Sequence, residues 1–360
     1  MAKTLPKGLY APLPVFFNDQ DEIDYEAFAK HAKCKYIQFK SEVDSAKSSG
    51  ILPAANMRKI RRHRSWSLAR CFCKHGRGGT LGSLVSGTNL CPFRFFVNIK
   101  FQTPQERVKL IETLRSALDS IGLQETPIVA GVGGNSTRET IQLARDAAAA
   151  GANFALVIAP GYWAGYLKGN PAAARKFFVD VAAASPIPVV IYNFPPVAGG
   201  IDLDSDDVVE IARLAPNICG IMLSCGNVGK LARITAVLDN TSFTTLAGLI
   251  DFLLPSVVVG SAGAISPLPN IAPKFSMNLW KLTQNLETKA DFTNAQFAQG
   301  LASLGEAALL KSGVPGLKSL LNKQFGYSAA PRSPLMAYGD VNGLSENEHI
   351  GDVLKLEESS

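Results

Sequence analysis

The chain has 360 residues, of which 47% are hydrophobic and 18% charged, so it can bury a core large enough for one α/β barrel with an appendage. Its most apolar stretch, residues 249–265, is rich in glycine and is broken by Asp251 and Pro255, which argues against a membrane span. The net charge of +6 arises in one segment, because eleven Lys and Arg residues but only two acids lie between Lys35 and Arg77. The basic balance therefore does not describe the body of the protein.

Six cysteines are spread along the chain rather than clustered as in a small disulfide-rich domain. Cys71, Cys73 and His75 have no second pair of ligands beside them, so we expect free thiols and no metal. The first residues lack both an apolar signal core and an Arg-rich transit stretch. These features predict a cytosolic protein, with mitochondrial import as the alternative.

The first hundred residues predict two βα units with unusual interruptions. Residues 8–17 and 81–86 are strand-like, and a helix begins at Tyr25. Between helix one and strand two, residues 35–74 are basic and have no sustained period, although such a connection normally needs only a few residues. Residues 90–102 form a second, aromatic-rich interruption.

From residue 103 onward, β-branched runs alternate with Ala-rich amphipathic stretches, as in the βα units of a parallel sheet. The predicted strands are residues 127–131, 154–158, 188–193, 218–224, 243–247 and 263–266, and helices are predicted at 104–120, 136–150 and 171–184. Eight strands favour a TIM (β/α)₈ barrel over residues 1–268, interrupted at 35–74 and 90–102. An eighth helix and a C-terminal helical extension should occupy 269–340, followed by a polar, frayed tail at 341–360.

Both interruptions also fit a hypothesis of translated non-coding sequence. Cys34-Lys35-Tyr36 can be encoded by TGT-AAG-TAC, which contains the intron-donor-like GTAAGT. Phe101-Gln102 can be encoded by TTT-CAG, which resembles an intron acceptor. Removing residues 35–74 would restore the short connection that a barrel expects.

Several motifs occur in an order typical of one enzyme family: Lys7-Gly8-Leu9-Tyr10-Ala11-Pro12, Ser86-Gly87-Thr88-Asn89, Thr103-Pro104-Gln105-Glu106-Arg107, Ile191-Tyr192-Asn193-Phe194-Pro195, and Gly248-Leu249-Ile250-Asp251 through Gly263-Ala264-Ile265-Ser266. Over residues 1–33 and 76–340 the chain resembles the dihydrodipicolinate synthase/N-acetylneuraminate lyase family. That resemblance implies a class I aldolase of small 2-oxo acids that needs no cofactor and assembles as a homotetramer.

The resemblance also implies roles for individual residues. In this family a barrel lysine forms an imine with the 2-oxo carbon, and a tyrosine moves protons to and from the substrate hydroxyl. Tyr192 matches that tyrosine, and Tyr162 resembles the tyrosine that completes the proton relay. The positions expected to bind substrate are Gly87, Thr88, Asn89, Gly248 and Ile265, with Thr88 also in the relay.

The chain departs from the family pattern at the lysine itself. Family members read Gly-x-Lys at the end of strand six, whereas this chain reads Gly220-Ile221-Met222. Methionine cannot form an imine, and Lys230, eight residues on, is expected to be a solvated helix residue. The carboxylate loop also reads Leu90-Cys91 after Asn89, where the family continues with Gly-Glu.

The motifs leave several functions open. Val197 stands where synthases of the lysine pathway carry an arginine, so with Asn89 the pattern favours 4-hydroxy-2-oxoglutarate aldolases. The alternatives are a 2-keto-3-deoxy-sugar-acid aldolase, a dihydrodipicolinate synthase-like protein and a catalytically inactive relative. A nucleic-acid-binding module would depend on the basic run from Arg58 to Arg64 alone, and neither nucleic acid nor membrane is expected as a partner.

Overall fold

The computed structural model describes residues 4–45, 93–97, 102–339 and 341–359. For residues 37–45, 93–97 and 341–342, only the backbone is described. The strand predicted at 81–86, the Cys71/Cys73/His75 group, the basic run 58–64 and the loop residues Gly87, Thr88 and Asn89 therefore lie outside the described residues.

Eight parallel strands in the described part of the chain close into a barrel in sequence order, because β1 pairs with both β2 and β8. The fold predicted from the sequence, a (β/α)₈ barrel, is confirmed. The strands are β1 (Gly8–Leu13), β2 (Phe93–Val97), β3 (Ile128–Gly131), β4 (Phe154–Ile158), β5 (Val189–Asn193), β6 (Ile218–Leu223), β7 (Thr244–Ala247) and β8 (Gly263–Ile265).

The position of β2 differs from the sequence prediction. The strand lies within residues 90–102, which the pattern marks as an interruption, and it pairs with β1 from Leu9↔Phe93 to Leu13↔Val97. Its aromatic and β-branched residues favour an extended backbone. A run that looks intrusive in the sequence therefore occupies the second position in the barrel.

Helices follow the strands and cover the outside of the barrel. Helix α1 (Tyr25–Ser45) extends through residues 35–45, which the sequence pattern assigns to the first interruption, and Thr103 and Glu106 form a capping box at the start of α2 (Pro104–Asp119). Single 3₁₀ turns occur at Gly161–Trp163, Pro195–Val197, Ile250–Phe252 and Leu268–Asn270. The helices are α1 (Tyr25–Ser45), α2 (Pro104–Asp119), α3 (Thr137–Ala149), α4 (Ala164–Leu167), α5 (Pro171–Ala184), α6 (Ser205–Leu214), α7 (Val228–Val237), α8 (Leu253–Val258), α9 (Pro273–Thr283), α10 (Lys289–Phe325), α11 (Val341–Ser345) and α12 (Glu348–Glu358).

The C-terminal tail is ordered as a helix, so the prediction of a frayed tail is wrong. Asn347 caps α12 by accepting a hydrogen bond from the backbone N–H of Ile350 at 3.3 Å. Ile350, Val353 and Leu356 are buried along one side of the helix, which packs against α10. Their three-residue spacing gives this otherwise polar segment one apolar face.

The core has two parts, one inside the barrel and one between the strands and the helices. Alternate strand residues point inward, and those of the inner part include Tyr10, Val190, Met222 and Ile265. Tyr192 packs against this inner cluster near the carboxyl end of β5. In the described residues, no helix is both long and apolar enough to cross a membrane.

Candidate active site

A cavity of about 280 Å³ opens at the carboxyl ends of the barrel strands, where barrel enzymes carry their active sites. Its walls are mainly apolar and come from the strand ends, from α10 and from the segment after α10. The strand ends contribute Tyr192, Met222, Ser224, Gly248 and Ile265, and the other two elements contribute Leu309, Leu310, Gly313, Val314, Leu317, Lys318, Pro331, Arg332 and Leu335.

Tyr192 lines this cavity beside the position of the family lysine. Its Cα pairs in register with that of Met222 on the neighbouring strand. Burial raises the pKa of Tyr192 to about 12, and a side-chain hydrogen bond with Ser224 opposes that shift. The phenol is therefore uncharged at neutral pH and can both donate and accept a hydrogen bond.

Met222 is 4% exposed and belongs to the apolar cluster inside the barrel. Its thioether carries no N–H group, so it can act neither as a nucleophile toward a carbonyl nor as a hydrogen-bond donor. The sixth strand therefore presents an apolar side chain to the cavity where a class I aldolase requires an amine.

Gly248 allows the ends of β6 and β7 to approach closely. A Cβ atom built at this position would lie 2.0 Å from Ser224 Oγ, which is far inside van der Waals contact. With glycine there, Ser224 Oγ donates a hydrogen bond to the Gly248 carbonyl at 3.3 Å. Ser224 thus contacts both Gly248 and Tyr192, although the sequence patterns had not singled it out. Ile265, which is fully buried, completes this part of the wall.

Tyr162 lies away from the cavity. Its side chain is 80% exposed, and its ring packs edge-on against Trp163 with the centroids 5.0 Å apart. The indole N–H of Trp163 donates to the Asn135 carbonyl at 2.9 Å, which holds this pair on the loop after β4. Within the described part of this chain, the predicted relay from Tyr162 to Tyr192 is therefore not assembled.

Lys230 is buried and paired, so the expectation of a solvated lysine is wrong. Its side chain is only 4% exposed, and its Nζ atom donates to Asp202 Oδ1. Asn193 Nδ2 donates to the same oxygen at 2.7 Å. This network joins α7 to the end of β5 and holds Lys230 outside the residues that line the cavity.

Lys318 and Arg332 line the cavity but were missed from the sequence. Lys318 is 1% exposed on α10, among buried neighbours such as Leu317 and Leu320. Arg332 binds both carboxylate oxygens of Glu106 at 2.9 Å. A lysine within an otherwise apolar helical run was the available signal, because a buried lysine needs a specific environment.

The described residues contain no group of three or more His, Cys, Asp or Glu side chains placed to hold a metal ion. The cavity combines an uncharged phenol, a serine hydroxyl, two basic side chains (Lys318 and Arg332) and an apolar wall. Such a site can enclose a small organic acid and exchange protons with it.

Comparisons with known proteins agree with this geometry. Residues 100–344 match the model of the dihydrodipicolinate synthetase family. A protein of Emericella nidulans named probable 4-hydroxy-2-oxoglutarate aldolase, mitochondrial, is 32% identical over 99% of this chain and 97% of its own length. The L-threo-3-deoxy-hexylosonate aldolase of Hypocrea jecorina is 29% identical over 99% of this chain and 98% of its own.

A solved dihydrodipicolinate synthase family protein from Coccidioides immitis superposes with a TM-score of 0.72 and 26% identity, covering 100% of this chain and 99% of that one. The long match to the family model, the full-length relatives and the closed barrel all lead to one assignment. The chain is a member of the dihydrodipicolinate synthetase family.

Proposed function

We propose that the cavity binds small 2-oxo acids and that the protein derives from aldolases that cleave 4-hydroxy-2-oxoglutarate to pyruvate and glyoxylate. The observation that carries this proposal is the register pair of Tyr192 and position 222 in one mainly apolar cavity. The name of the Emericella nidulans relative supports the substrate. Position 197 also agrees with this substrate, because it holds valine, whereas a synthase of the lysine pathway is expected to carry an arginine there.

In the proposed chemistry, an amine adds to the 2-oxo carbon and loses water to form an imine. The imine withdraws electrons as the bond between C3 and C4 of the substrate breaks. Tyr192 accepts the proton of the C4 hydroxyl and returns a proton to C3, and glyoxylate leaves. Water then adds to C2 of the remaining pyruvate imine, and the C2–N bond breaks to release pyruvate and restore the amine. Gly87, Thr88 and Asn89 remain the predicted carboxylate-binding loop, and Thr88 remains the predicted relay partner, whereas Tyr162 of the same chain lies away from the cavity.

Met222 favours a second candidate function, a non-catalytic relative that binds 2-oxo acids reversibly. The thioether cannot form the imine, so covalent chemistry at position 222 is excluded in this chain. A 2-keto-3-deoxy-sugar acid is the alternative ligand, and the name of the Hypocrea jecorina relative supports it.

Titration calorimetry tests the proposal with pyruvate, 4-hydroxy-2-oxoglutarate and a 2-keto-3-deoxy-sugar acid as ligands. We expect saturable binding of at least one 2-oxo acid and no binding of the matching 2-hydroxy acid, which lacks the carbonyl. Release of pyruvate, followed with lactate dehydrogenase, separates an active aldolase from a binding protein. Failure of all three 2-oxo acids to bind would contradict the proposed function.

We also propose that the protein is a homo-oligomer, with a tetramer implied by the family resemblance. Tyr162, Trp163 and Tyr166 are 80%, 52% and 64% exposed and form an aromatic surface beside the barrel mouth. Packing of this surface against a second copy would remove it from water. Light scattering after size exclusion, compared between the parent and Tyr166→Glu, tests this arrangement, and an unchanged monomeric mass for both would contradict it.

We also propose that the protein is located in mitochondria. The word mitochondrial in the name of the Emericella nidulans relative favours the mitochondrial alternative over a cytosolic protein. Fractionation of cells that express the full chain with a C-terminal tag distinguishes the two, and recovery only in the cytosolic fraction would contradict a mitochondrial location.

A further inference from the structure

We propose that Lys318 is the amine of this cavity, and that it forms an imine with the 2-oxo carbon of a small 2-oxo acid although position 222 is methionine. This inference rests on the proposed function, because it requires a 2-oxo acid in the cavity. It assigns the missing amine to a helix outside the barrel strands rather than to strand six.

The kink in α10 brings Lys318 to the cavity. Gly313 adopts φ 62° and ψ −161°, a backbone conformation suited to glycine, and Pro315 follows it. Beyond the kink, Leu317 and Lys318 line the same cavity as Tyr192 and Met222. Lys318 and Tyr192 thus line one cavity, although the two residues are far apart in the sequence.

The contacts of Lys318 leave its amine without a carboxylate partner in the described part of the chain. Its Nζ atom donates a hydrogen bond to the Ala330 carbonyl and lies 4.5 Å from the centroid of the Phe17 ring. A backbone carbonyl and an aromatic ring can be exchanged for a substrate at a lower cost than an ion pair. Lys230 is the contrasting case, because Asp202 binds its amine directly.

The surroundings of Lys318 favour the uncharged amine, which is the nucleophilic form. Burial lowers the pKa of Lys318 to about 8, Asp21 opposes this shift, and the positive charge of Arg332 adds to it. Arg332 itself is paired with Glu106 and Asp21. Desolvation next to another cation is a recognised way to activate a lysine for imine formation.

The proposed step is balanced without any further reactant. The Nζ lone pair attacks C2 of the 2-oxo acid, and the carbonyl oxygen takes up a proton to give a carbinolamine. The C2–O bond then breaks, the oxygen leaves as water with the two amine hydrogens, and a C=N bond remains. Borohydride added to the sample delivers hydride to C2 and converts the imine into a stable secondary amine on Lys318.

The test is borohydride trapping of the full chain with pyruvate, followed by intact mass measurement and peptide mapping. We expect one reduced pyruvate per chain on the peptide that contains Lys318, and loss of that adduct in Lys318→Arg and Lys318→Met. The arginine variant keeps a cation beside Ala330 and so controls for folding. Lys230→Met, which removes a buried lysine outside the cavity, should retain the adduct.

The pH dependence of trapping separates Lys318 from an ordinary surface lysine. Because only the free amine reacts, the initial trapping rate should rise through pH 8 and then level off. A surface lysine would continue to gain reactivity up to pH about 10. A rate that still rises steeply above pH 9 would overturn the assignment.

The remaining outcomes distinguish this inference from the proposed function. If pyruvate binds by calorimetry but no adduct forms at Lys318, or the adduct persists in Lys318→Arg, then Lys318 is not the amine and the 2-oxo-acid site stands. If pyruvate, 4-hydroxy-2-oxoglutarate and the 2-keto-3-deoxy acid all fail to bind, the proposed function fails as well.

Discussion

Tyr192 and Met222 are register partners on β5 and β6, and both side chains line the apolar cavity at the mouth of the barrel. A phenol with a raised pKa therefore lies next to a thioether where a class I aldolase would pair it with an amine. The chemistry of the site depends on what stands at position 222.

Met222→Lys should allow an imine to form on strand six. Borohydride trapping with pyruvate should then give an adduct at residue 222, and cleavage of 4-hydroxy-2-oxoglutarate should rise at least about tenfold over the parent. A buried amine should also lower the free energy of unfolding by about 1–3 kcal/mol. Met222→Leu, which keeps the volume but adds no amine, is the control, and equal cleavage by both variants would show that position 222 is not the site of imine formation.

Tyr192→Phe, made in the Met222→Lys protein, removes the hydroxyl that moves protons. We expect kcat to fall by about 10²–10⁴-fold while pyruvate can still be trapped at residue 222, because imine formation needs the lysine more than the phenol. Stopped-assay pyruvate release and intact mass together measure the two effects. A kcat within a factor of about two of the parent variant would remove Tyr192 from the mechanism.

Gly248→Ala should disturb the contact between β6 and β7. The added methyl group would meet Ser224 Oγ at 2.0 Å, so Ser224 must move away from its position beside Tyr192. We expect the free energy of unfolding to fall by about 1–3 kcal/mol in urea denaturation. Gly300→Ala is the matched control, since nothing lies within 4 Å of its Cβ and the residue is in a helix, where alanine is favoured by about 0.5–1 kcal/mol.

Glu306 makes folding stability depend on pH. Burial raises its pKa from 4.5 to about 8, against a hydrogen bond from Ser266, so the folded protein holds a proton that the unfolded chain loses. The contribution of Glu306 to the stability of the folded protein is fully present below pH 4.5 and is lost as the pH rises through 8. In the parent, this effect lowers the free energy of unfolding by up to about 1.4 kcal/mol per pH unit between pH 5 and 8. In Glu306→Gln this decline should be absent.

Urea denaturation at several pH values measures this difference. The amide introduced by Glu306→Gln would preserve hydrogen bonds of the kind that the carboxyl makes with Ser266 and with the Asp251 backbone N–H. Substitution of the exposed Glu112 by Gln should leave the pH dependence of the parent unchanged. Parallel curves for the parent and Glu306→Gln would show that the buried carboxyl does not take up a proton on folding.

The first interruption of the barrel pattern gives a prediction about the transcript. Residues 93–97 form strand β2 of the barrel, so the non-coding hypothesis now applies to residues 35–74 alone. If these residues arise from retained non-coding sequence, the mature message lacks codons 35–74. Sequencing of complementary DNA across codons 33–103 and codon 222 measures this directly. A message that contains all forty codons of the first stretch refutes the hypothesis, and a lysine codon at 222 would restore the family motif.

The sequence by itself determined the alternation of strands and helices from β3 to α10, because caps and hydrophobic periods act over a few residues. It also determined that Tyr192 and Met222 belong to neighbouring barrel strands, since strand spacing and the motif order fix both positions. These features depend on local backbone preferences, which a single sequence carries.

Only the tertiary structure decided which amines lie at the cavity. Lys230 follows the expected lysine position closely, yet Asp202 holds its amine in an ion pair outside the cavity, while Lys318 reaches the cavity from a helix about a hundred residues away. Contacts between distant segments likewise determined that the tail forms helix α12 and that β2 lies at residues 93–97. Burial, desolvation and ion pairing depend on which distant segments come together, and no local pattern in the chain records those contacts.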